Sequence, residues 1–170
     1  MTPARWARRG GRLVVVLPRG ADVLEGILAA AAEAGVASGT FVGLGAIEDP
    51  HLAWFDRDTR EYRDRVLPGV WEIAQLTGNL TRYDGEPRIH AHATVSGPDL
   101  TARAGHLVGG TVGVTCEVSL SEWDPPVERR LDPAFELPLI DLGLGPGAGG
   151  RGLGLRGSGR QAVPIAVRAR

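Results

Sequence analysis

A tight turn between two strand-like segments constrains the fold of this chain more than any other feature. Residues 88–95 read Arg-Ile-His-Ala-His-Ala-Thr-Val, an alternation with period two that is typical of a β-strand with two distinct faces. Asp84-Gly85, just before this segment, is a favoured hairpin turn, and residues 71–83 supply the preceding strand. Because a hairpin joins antiparallel strands, the sequence predicts a sheet in which neighbouring strands run in opposite directions.

One segment near the N-terminus has a helical pattern instead. Asp22 is a preferred N-cap residue with Glu25 as its capping-box partner, and Gly35 is suited to the position just after the last helical residue. Further strands are predicted at residues 12–17, 40–47, 51–55, 61–67 and 111–120. One early helix followed by hairpin-linked strands indicates an α+β fold with a mixed, largely antiparallel sheet and few helices.

Charge is distributed unevenly along the 170 residues. All 19 basic residues are arginines, and five of them lie in residues 1–19 and five in residues 142–170, where there is no acidic residue. Residues 20–141 hold nine arginines against all 20 acids, a formal charge of −11. The net charge of −1 therefore conceals an acidic body with two basic ends, a pattern typical of solvated tails that can contact polyanions.

These compositional shifts predict three regions. Residues 1–11 form a basic N-terminal arm, residues 12–142 a single domain, and residues 143–170 a Gly/Arg-rich C-terminal tail. Nine of the first 18 residues of that tail are glycine, so ordering it costs more backbone entropy than burial can recover. We therefore expect the tail to be flexible.

The single cysteine and the short apolar runs bear on the cellular compartment. Cys116 excludes an internal disulfide, which fits a reducing, cytoplasmic location. It lies in an apolar run and is interpreted as a small buried hydrophobe rather than a nucleophile. No segment reaches the ~18 apolar residues of a membrane span, so we expect no membrane association.

Three of the four histidines carry the clearest chemical signal. His90 and His92 are two residues apart on the predicted strand, so both imidazoles project from the same face. His106 follows 14 residues later, after a loop long enough to turn back toward that face. Three neutral imidazoles with one open position are a common shell for zinc or another divalent transition metal. The alternative is that the pair is hydrogen-bonded at the surface and His106 stabilises a turn; His51 is interpreted as a surface residue.

Few other residues are candidates for metal binding or catalysis. Glu72 and Glu117 lie in apolar strand-like runs, where each either faces solvent through simple alternation or points inward as a metal ligand or catalytic base. Asn79, after Thr77-Gly78, is interpreted as a turn residue. The chain has no lysine, which excludes a Walker-type phosphate loop, and it has no Gly-x-Ser-x-Gly nucleophile motif.

Taken in order, these segments resemble the plants-and-prokaryotes-conserved (PPC) domain family over about residues 10–142. The resemblance is carried by Pro18-Arg19-Gly20-Ala21-Asp22 before the Ala-rich helix, Phe41-Val42-Gly43-Leu44-Gly45-Ala46, Glu72-Ile73-Ala74-Gln75-Leu76-Thr77-Gly78-Asn79, His90-Ala91-His92, Gly105-His106-Leu107 and Cys116-Glu117-Val118. It implies an α+β fold similar to that of acetolactate decarboxylases, assembly as a homotrimer, and zinc bound by His90, His92 and His106 near a subunit boundary.

The resemblance leaves two classes of function open. Plant PPC domains accompany AT-hooks, which implies a DNA-binding or regulatory role, but the Arg-Gly-Arg-Pro core of an AT-hook does not occur in this chain. Arg151, Arg156 and Arg160 of the tail are instead expected to neutralise phosphates without reading sequence. The alternative is a zinc-dependent, lyase- or hydrolase-like enzyme that acts on a small carbonyl or carboxylate substrate at the metal site.

Overall fold

The computed structural model describes residues 3–143, and within that range it contains one helix and nine strands in a single sheet. In chain order the elements are β1 (Arg5–Arg9), β2 (Arg12–Pro18), α1 (Val23–Glu33), β3 (Gly39–Asp56), β4 (Glu61–Val66), β5 (Val70–Tyr83), β6 (Glu86–Ser96), β7 (Ala102–Glu122), β8 (Glu128–Asp132) and β9 (Leu137–Asp141). All strand pairs are antiparallel except a parallel contact between β5 and β8. The predicted α+β class and largely antiparallel sheet are confirmed.

Four strands of the sheet close on themselves. β6 pairs with β5 on one side and with the first part of β7 on the other, while β3 pairs with both β5 and β7. The β1–β2 hairpin extends the sheet along the second half of β7, and β8 and β9 extend it beyond β5. Closure removes most free strand edges in the centre of the molecule, so the surfaces of β6 and β7 are held in fixed register.

The helix packs against this sheet with its apolar side. The Asp22 side chain accepts a hydrogen bond from the Glu25 backbone N–H at 2.9 Å, as the predicted cap requires. Gly35 ends the helix with a φ of +72°, a conformation that glycine adopts without strain. The buried residues of the helix are Val23, Ile27, Ala30 and Ala31, and they join one hydrophobic cluster with residues from β2, β3, β5, β6 and β7.

Several strands differ from those predicted. The two segments expected at residues 40–47 and 51–55 are one strand, β3, which is interrupted by register shifts rather than by a turn. β7 begins at Ala102, inside a segment that was expected to be a polar loop. Glycines and small residues in both places allow a bent strand to continue where a simple pattern suggests a break.

The two ends of the chain differ in how much of them the structure describes. The segment expected as a basic N-terminal arm contains β1, which pairs with β2 from Arg5 to Arg9. Most of the Gly/Arg-rich tail, with Arg151, Arg156 and Arg160, lies outside the described residues. Within residues 3–143, no helix is long and apolar enough to cross a membrane.

Candidate metal centre

Two neighbouring strands bring the three predicted histidines together. His90 and His92 lie side by side on β6, and His106 on β7 is directly opposite His92 in the antiparallel register. One ring nitrogen of each residue lies within 4.8 Å of those of the other two, and the ring centroids are 5.1–5.6 Å apart. The predicted convergence of these three side chains is therefore observed.

The route by which His106 reaches the cluster differs from the prediction. We expected a loop to turn back toward the face of His90 and His92, whereas residues 97–101 form a short connection between β6 and β7 and His106 lies within the second strand. Directly opposed residues in an antiparallel pair share one face, so strand pairing fixes the position of His106 more firmly than a loop would.

The strand alternation that places His90 and His92 on the outer face of β6 also places the residues next to them in the core. Ala91 and Ala93, between and after the pair, are 1% and 2% exposed and face the core. On the other side of β6, Asn79 and Thr77 of β5 are the register partners of His90 and His92. Gly78 lies between these two partners, and a Cβ there would come within 2.5 Å of the His90 carbonyl oxygen. The close approach of β5 and β6 therefore depends on glycine at this position.

One atom of the cluster lacks a partner. Nδ1 of His106 is buried and makes no hydrogen bond within the described part of the chain. A buried polar atom without a partner costs about 1–3 kcal/mol, so native structures rarely leave one unsatisfied. A metal ion bound at this nitrogen would accept its lone pair. The three histidines are therefore chemically suited to bind a metal.

The surroundings keep the imidazoles in the form that binds metals. Burial lowers the pKa of His90 to about 4, with further contributions from the positive charges of His106, Arg129 and His92. Burial also lowers the pKa of His106, and His92 adds to the effect. Near neutral pH these two rings are therefore neutral and their lone pairs are available for coordination.

We expect the metal-free protein to lose stability in a defined acid range. The pKa of His90 is about 4 in the folded chain against an ordinary value of 6.5, so the unfolded state binds the extra proton first. The free energy of unfolding should therefore fall as pH drops from 6.5 to about 4, and this group should contribute no further change below that range. Urea unfolding of the metal-free chain at pH 7.5, 5.5 and 4 measures this. His90→Gln should reduce the loss, and an unchanged pH dependence in that variant would contradict the assignment.

Two cavities lie beside the histidine cluster. The first, of about 270 Å³, lies between the histidines and the β8–β9 hairpin. Its lining consists of Tyr62, Tyr83, Arg88, Ile89, His90, His106, Arg129, Leu137, Pro138 and Leu139. The second, of about 450 Å³, is lined by His92 and His106 together with aromatic and small residues of β3, β4 and β7. A metal ion on the three imidazoles would therefore keep open positions that a ligand can reach.

Arg129 is a residue of this region that the sequence did not single out. Its guanidinium donates three hydrogen bonds, from Nε to Thr81 Oγ1 at 2.7 Å, from Nη2 to Asn79 Oδ1 at 2.7 Å and from Nη1 to the Pro138 carbonyl at 2.6 Å. Asn79, interpreted from the sequence as a turn residue, thus lies within β5 and positions this arginine. No local motif marks Arg129, because its neighbours come from strands about 50 residues earlier in the chain.

The other sequence candidates lie away from the cluster. Glu72 on β5 and Glu117 on β7 are both exposed and line neither of the two cavities beside the histidines. His51 is hydrogen-bonded to Asp64 instead of joining the other histidines. Cys116 is fully buried, and burial raises the pKa of its thiol to about 11, which agrees with the interpretation of this residue as a structural hydrophobe.

The fold and the site together define a class: a small α+β protein with a closed sheet and a three-histidine cluster on its outer surface. The chain belongs to the Plants and Prokaryotes Conserved domain family, whose model matches residues 6–124. The resemblance to the PPC family inferred from the sequence is therefore confirmed. No curated protein sequence matches the chain.

Solved structures agree with this family. A protein of Bacteroides thetaiotaomicron, named provisionally as DNA-binding, is 26% identical with a TM-score of 0.79 over 84% of this chain and 99% of that one. A PPC protein of Pyrococcus horikoshii is also 26% identical, with a TM-score of 0.72 over 83% and 96% of the two chains. A protein of Archaeoglobus fulgidus named as metal-containing is 25% identical, with a TM-score of 0.71 over 82% and 99%.

A more distant structure bears on the fold only. It is a Staphylococcus aureus protein of unknown function that is named as similar to α-acetolactate decarboxylase, with 12% identity and a TM-score of 0.50 over 65% of this chain and 52% of that one. The expected similarity to the acetolactate decarboxylase type of fold is confirmed at this level.

Proposed function

We propose that this PPC-domain protein is a metal-binding homotrimer in which His90, His92 and His106 hold one zinc or other divalent transition ion per chain. The observation that carries the proposal is the convergence of three imidazole nitrogens within 4.8 Å. In the part of the chain that the structure describes, one of these rings also has a buried nitrogen without a hydrogen-bond partner. The metal-containing protein of Archaeoglobus fulgidus, 25% identical, supports it.

The donor set decides which metals are suitable. Imidazole nitrogen suits zinc, copper, nickel and iron, whereas magnesium and calcium prefer carboxylate and carbonyl oxygen. Neither cavity beside the cluster is lined by an Asp or Glu side chain. Three protein nitrogens leave at least one position for water or a ligand, as in catalytic zinc sites. In that position the ion would supply Lewis acidity, while the chain's own residues would bind and orient the ligand.

An apolar row on the outer surface of the sheet supports assembly. Val14, Val42 and Leu44 are 37%, 50% and 57% exposed, and they line one shallow depression with Glu117. Val42 on β3 pairs with Thr77 on β5, and Thr77 pairs in turn with His92 on β6. The apolar row is therefore continuous with the surface that carries the histidine cluster. Contiguous apolar surface of this kind is typical of protein–protein interfaces, and a homotrimer would cover it.

Metal analysis combined with solution mass tests the proposal. The full chain is stripped with a chelator, reloaded with Zn²⁺ and desalted, and its metal content and sedimentation are then measured together. We expect about one zinc per chain and a mass three times that of one chain. A reloaded protein that retains almost no zinc would refute the metal site. A stable monomer at micromolar concentration would refute the assembly without affecting the metal site.

Nucleic-acid binding is a second candidate function. Its support is the β1–β2 hairpin, on which Arg5, Arg9 and Arg12 are all exposed. Arg8 on the same hairpin already pairs with Glu122 at 3.1 Å. The provisional DNA-binding name of the Bacteroides thetaiotaomicron protein points the same way. A cytoplasmic DNA-binding or regulatory role would use these arginines, together with those of the tail, as non-specific phosphate contacts.

We expect any duplex binding to be independent of A·T content and steeply weakened by salt. Replacing Arg5, Arg9 and Arg12 with glutamine should lower the slope of log K against log salt by up to about 3 per chain through lost counterion release. The matched control replaces Arg57, Arg65 and Arg103, exposed arginines elsewhere on the surface. Deleting residues 143–170 tests Arg151, Arg156 and Arg160 in the same assay. Absence of duplex retardation in low salt, or equal losses in variant and control, would exclude this candidate.

A further inference from the structure

The cavity between the histidines and the β8–β9 hairpin has a charge opposite to that of its surroundings. Residues 20–141 hold 20 acids and nine arginines, yet no acid lines this cavity of about 270 Å³. Arg88 and Arg129 line it together with two of the three histidines. A divalent ion on those histidines would add two positive charges at the cavity wall. The cavity is therefore suited to a small anion.

Arg129 is held in a geometry that leaves part of its hydrogen-bonding capacity free. A guanidinium has five N–H groups, and hydrogen bonds to Thr81, Asn79 and Pro138 use three of them. One N–H remains on each of Nη1 and Nη2, and both are donors that a carboxylate can accept. Arg129 is half-buried, burial lowers its pKa, and no carboxylate pairs with it among residues 3–143.

The anchors of Arg129 also place it beside the candidate metal. Asn79 is the register partner of His90, and Thr81 lies two residues along on the same face of β5. The guanidinium therefore lies against β5 next to His90. Its positive charge helps to lower the pKa of His90. A ligand in the cavity would reach both the open position of the metal and the free N–H groups of Arg129.

The rest of the lining indicates what kind of anion fits. Ile89, Leu137 and Leu139 provide an apolar wall, which favours a short hydrocarbon chain over an inorganic ion. The volume of about 270 Å³ is slightly below the usual range for sites that bind drug-sized ligands, which limits the ligand to a few carbon atoms.

We propose that Arg129 and the metal together form a binding site for a small aliphatic carboxylate, with one carboxylate oxygen on the ion and the carboxylate held by the free N–H groups of Arg129. This inference rests on the proposed metal site and adds the chemical class of its ligand. Arg129 is assigned here as a ligand-binding residue, in addition to its structural hydrogen bonds.

The full chain loaded with Co²⁺ tests this inference, because the visible spectrum of cobalt reports ligand binding without any assay of activity. Butyrate is the probe, butyramide its neutral analogue and inorganic phosphate the competing anion. We expect butyrate to change the spectrum with a Kd of about 1 mM and butyramide to bind at least about tenfold more weakly. Arg129→Gln should weaken butyrate binding about 10- to 100-fold with cobalt content unchanged, and should abolish the preference over butyramide.

The controls separate the possible failures. Arg130→Gln changes a neighbouring, largely exposed arginine that pairs with Asp141 at 2.5 Å, and it should leave butyrate binding unchanged. Arg129→Lys keeps the charge and should restore part of the affinity even if the glutamine variant is less stable. A chain that does not take up Co²⁺ or Zn²⁺ would overturn both this inference and the proposed function. A metal-loaded chain that ignores butyrate up to about 50 mM, or binds phosphate more tightly, would overturn this inference only.

Discussion

Replacing His106 with alanine is expected to remove nearly all bound metal from the protein. The three imidazole nitrogens lie within 4.8 Å of one another, and His106 is the member from the second strand that would convert a same-strand pair of ligands into a three-sided shell. Loss of a residue that only supports a metal ligand already costs about 10- to 100-fold in affinity, so loss of a ligand should cost at least about 100-fold. Competition with a chelator of known zinc affinity measures this directly.

A matched control and a stability measurement sharpen this prediction. His51→Ala removes a histidine that is hydrogen-bonded to Asp64 outside the cluster, and it should retain full metal content. The metal-free His106→Ala chain should be as stable as the metal-free wild type, because the substitution also removes a buried nitrogen that has no hydrogen-bond partner among residues 3–143. The wild type and His51→Ala should then gain stability on addition of zinc, by about 2.7 kcal/mol at a hundredfold excess over Kd, whereas His106→Ala should not. Equal metal content in His106→Ala and wild type would contradict the account.

Replacing Leu44 with arginine is expected to convert the proposed homotrimer into single chains. Leu44 is 57% exposed within the apolar row, and its register partner on β7 is Glu117. A guanidinium buried there would cost about 1–4 kcal/mol at each interface relative to an apolar side chain, even when it pairs with Glu117. The sedimenting mass should fall from three chains to one. Val66→Arg, at a residue of β4 that is 51% exposed, is the control and should leave the mass unchanged. An unchanged mass for Leu44→Arg would show that this surface is not the interface.

Local sequence signals were sufficient for much of the fold. Asp22 and Glu25 define the start of the helix, and the alternation around His90 and His92 defines a strand and its outward face. Both signals depend on residues within a few positions of one another, so a single sequence contains all the information needed. The same holds for the Asp84-Gly85 turn, which joins β5 to β6.

Features that depend on the pairing of strands distant in the chain could not be predicted from local sequence signals. The position of His106 opposite His92 follows from the register between β6 and β7, and Arg129 approaches the cluster only because β8 packs beside β5. The strand β8 reads Glu-Arg-Arg-Leu-Asp, and with four charged residues out of five it lacks the apolar/polar alternation that predicts a strand. The sequence therefore predicted that the three histidines share one face, which the structure shows, whereas the cavity with Arg88 and Arg129 beside them became visible only in the tertiary structure.

The most direct test of the account is the position of the metal itself. Crystals of the zinc-loaded full chain, measured on both sides of the zinc absorption edge, locate the ion by its anomalous signal. The account predicts one peak per chain at about 2.0–2.1 Å from a ring nitrogen of each of His90, His92 and His106. A peak bound by fewer than these three residues, or a zinc-loaded crystal with no peak between them, would contradict it.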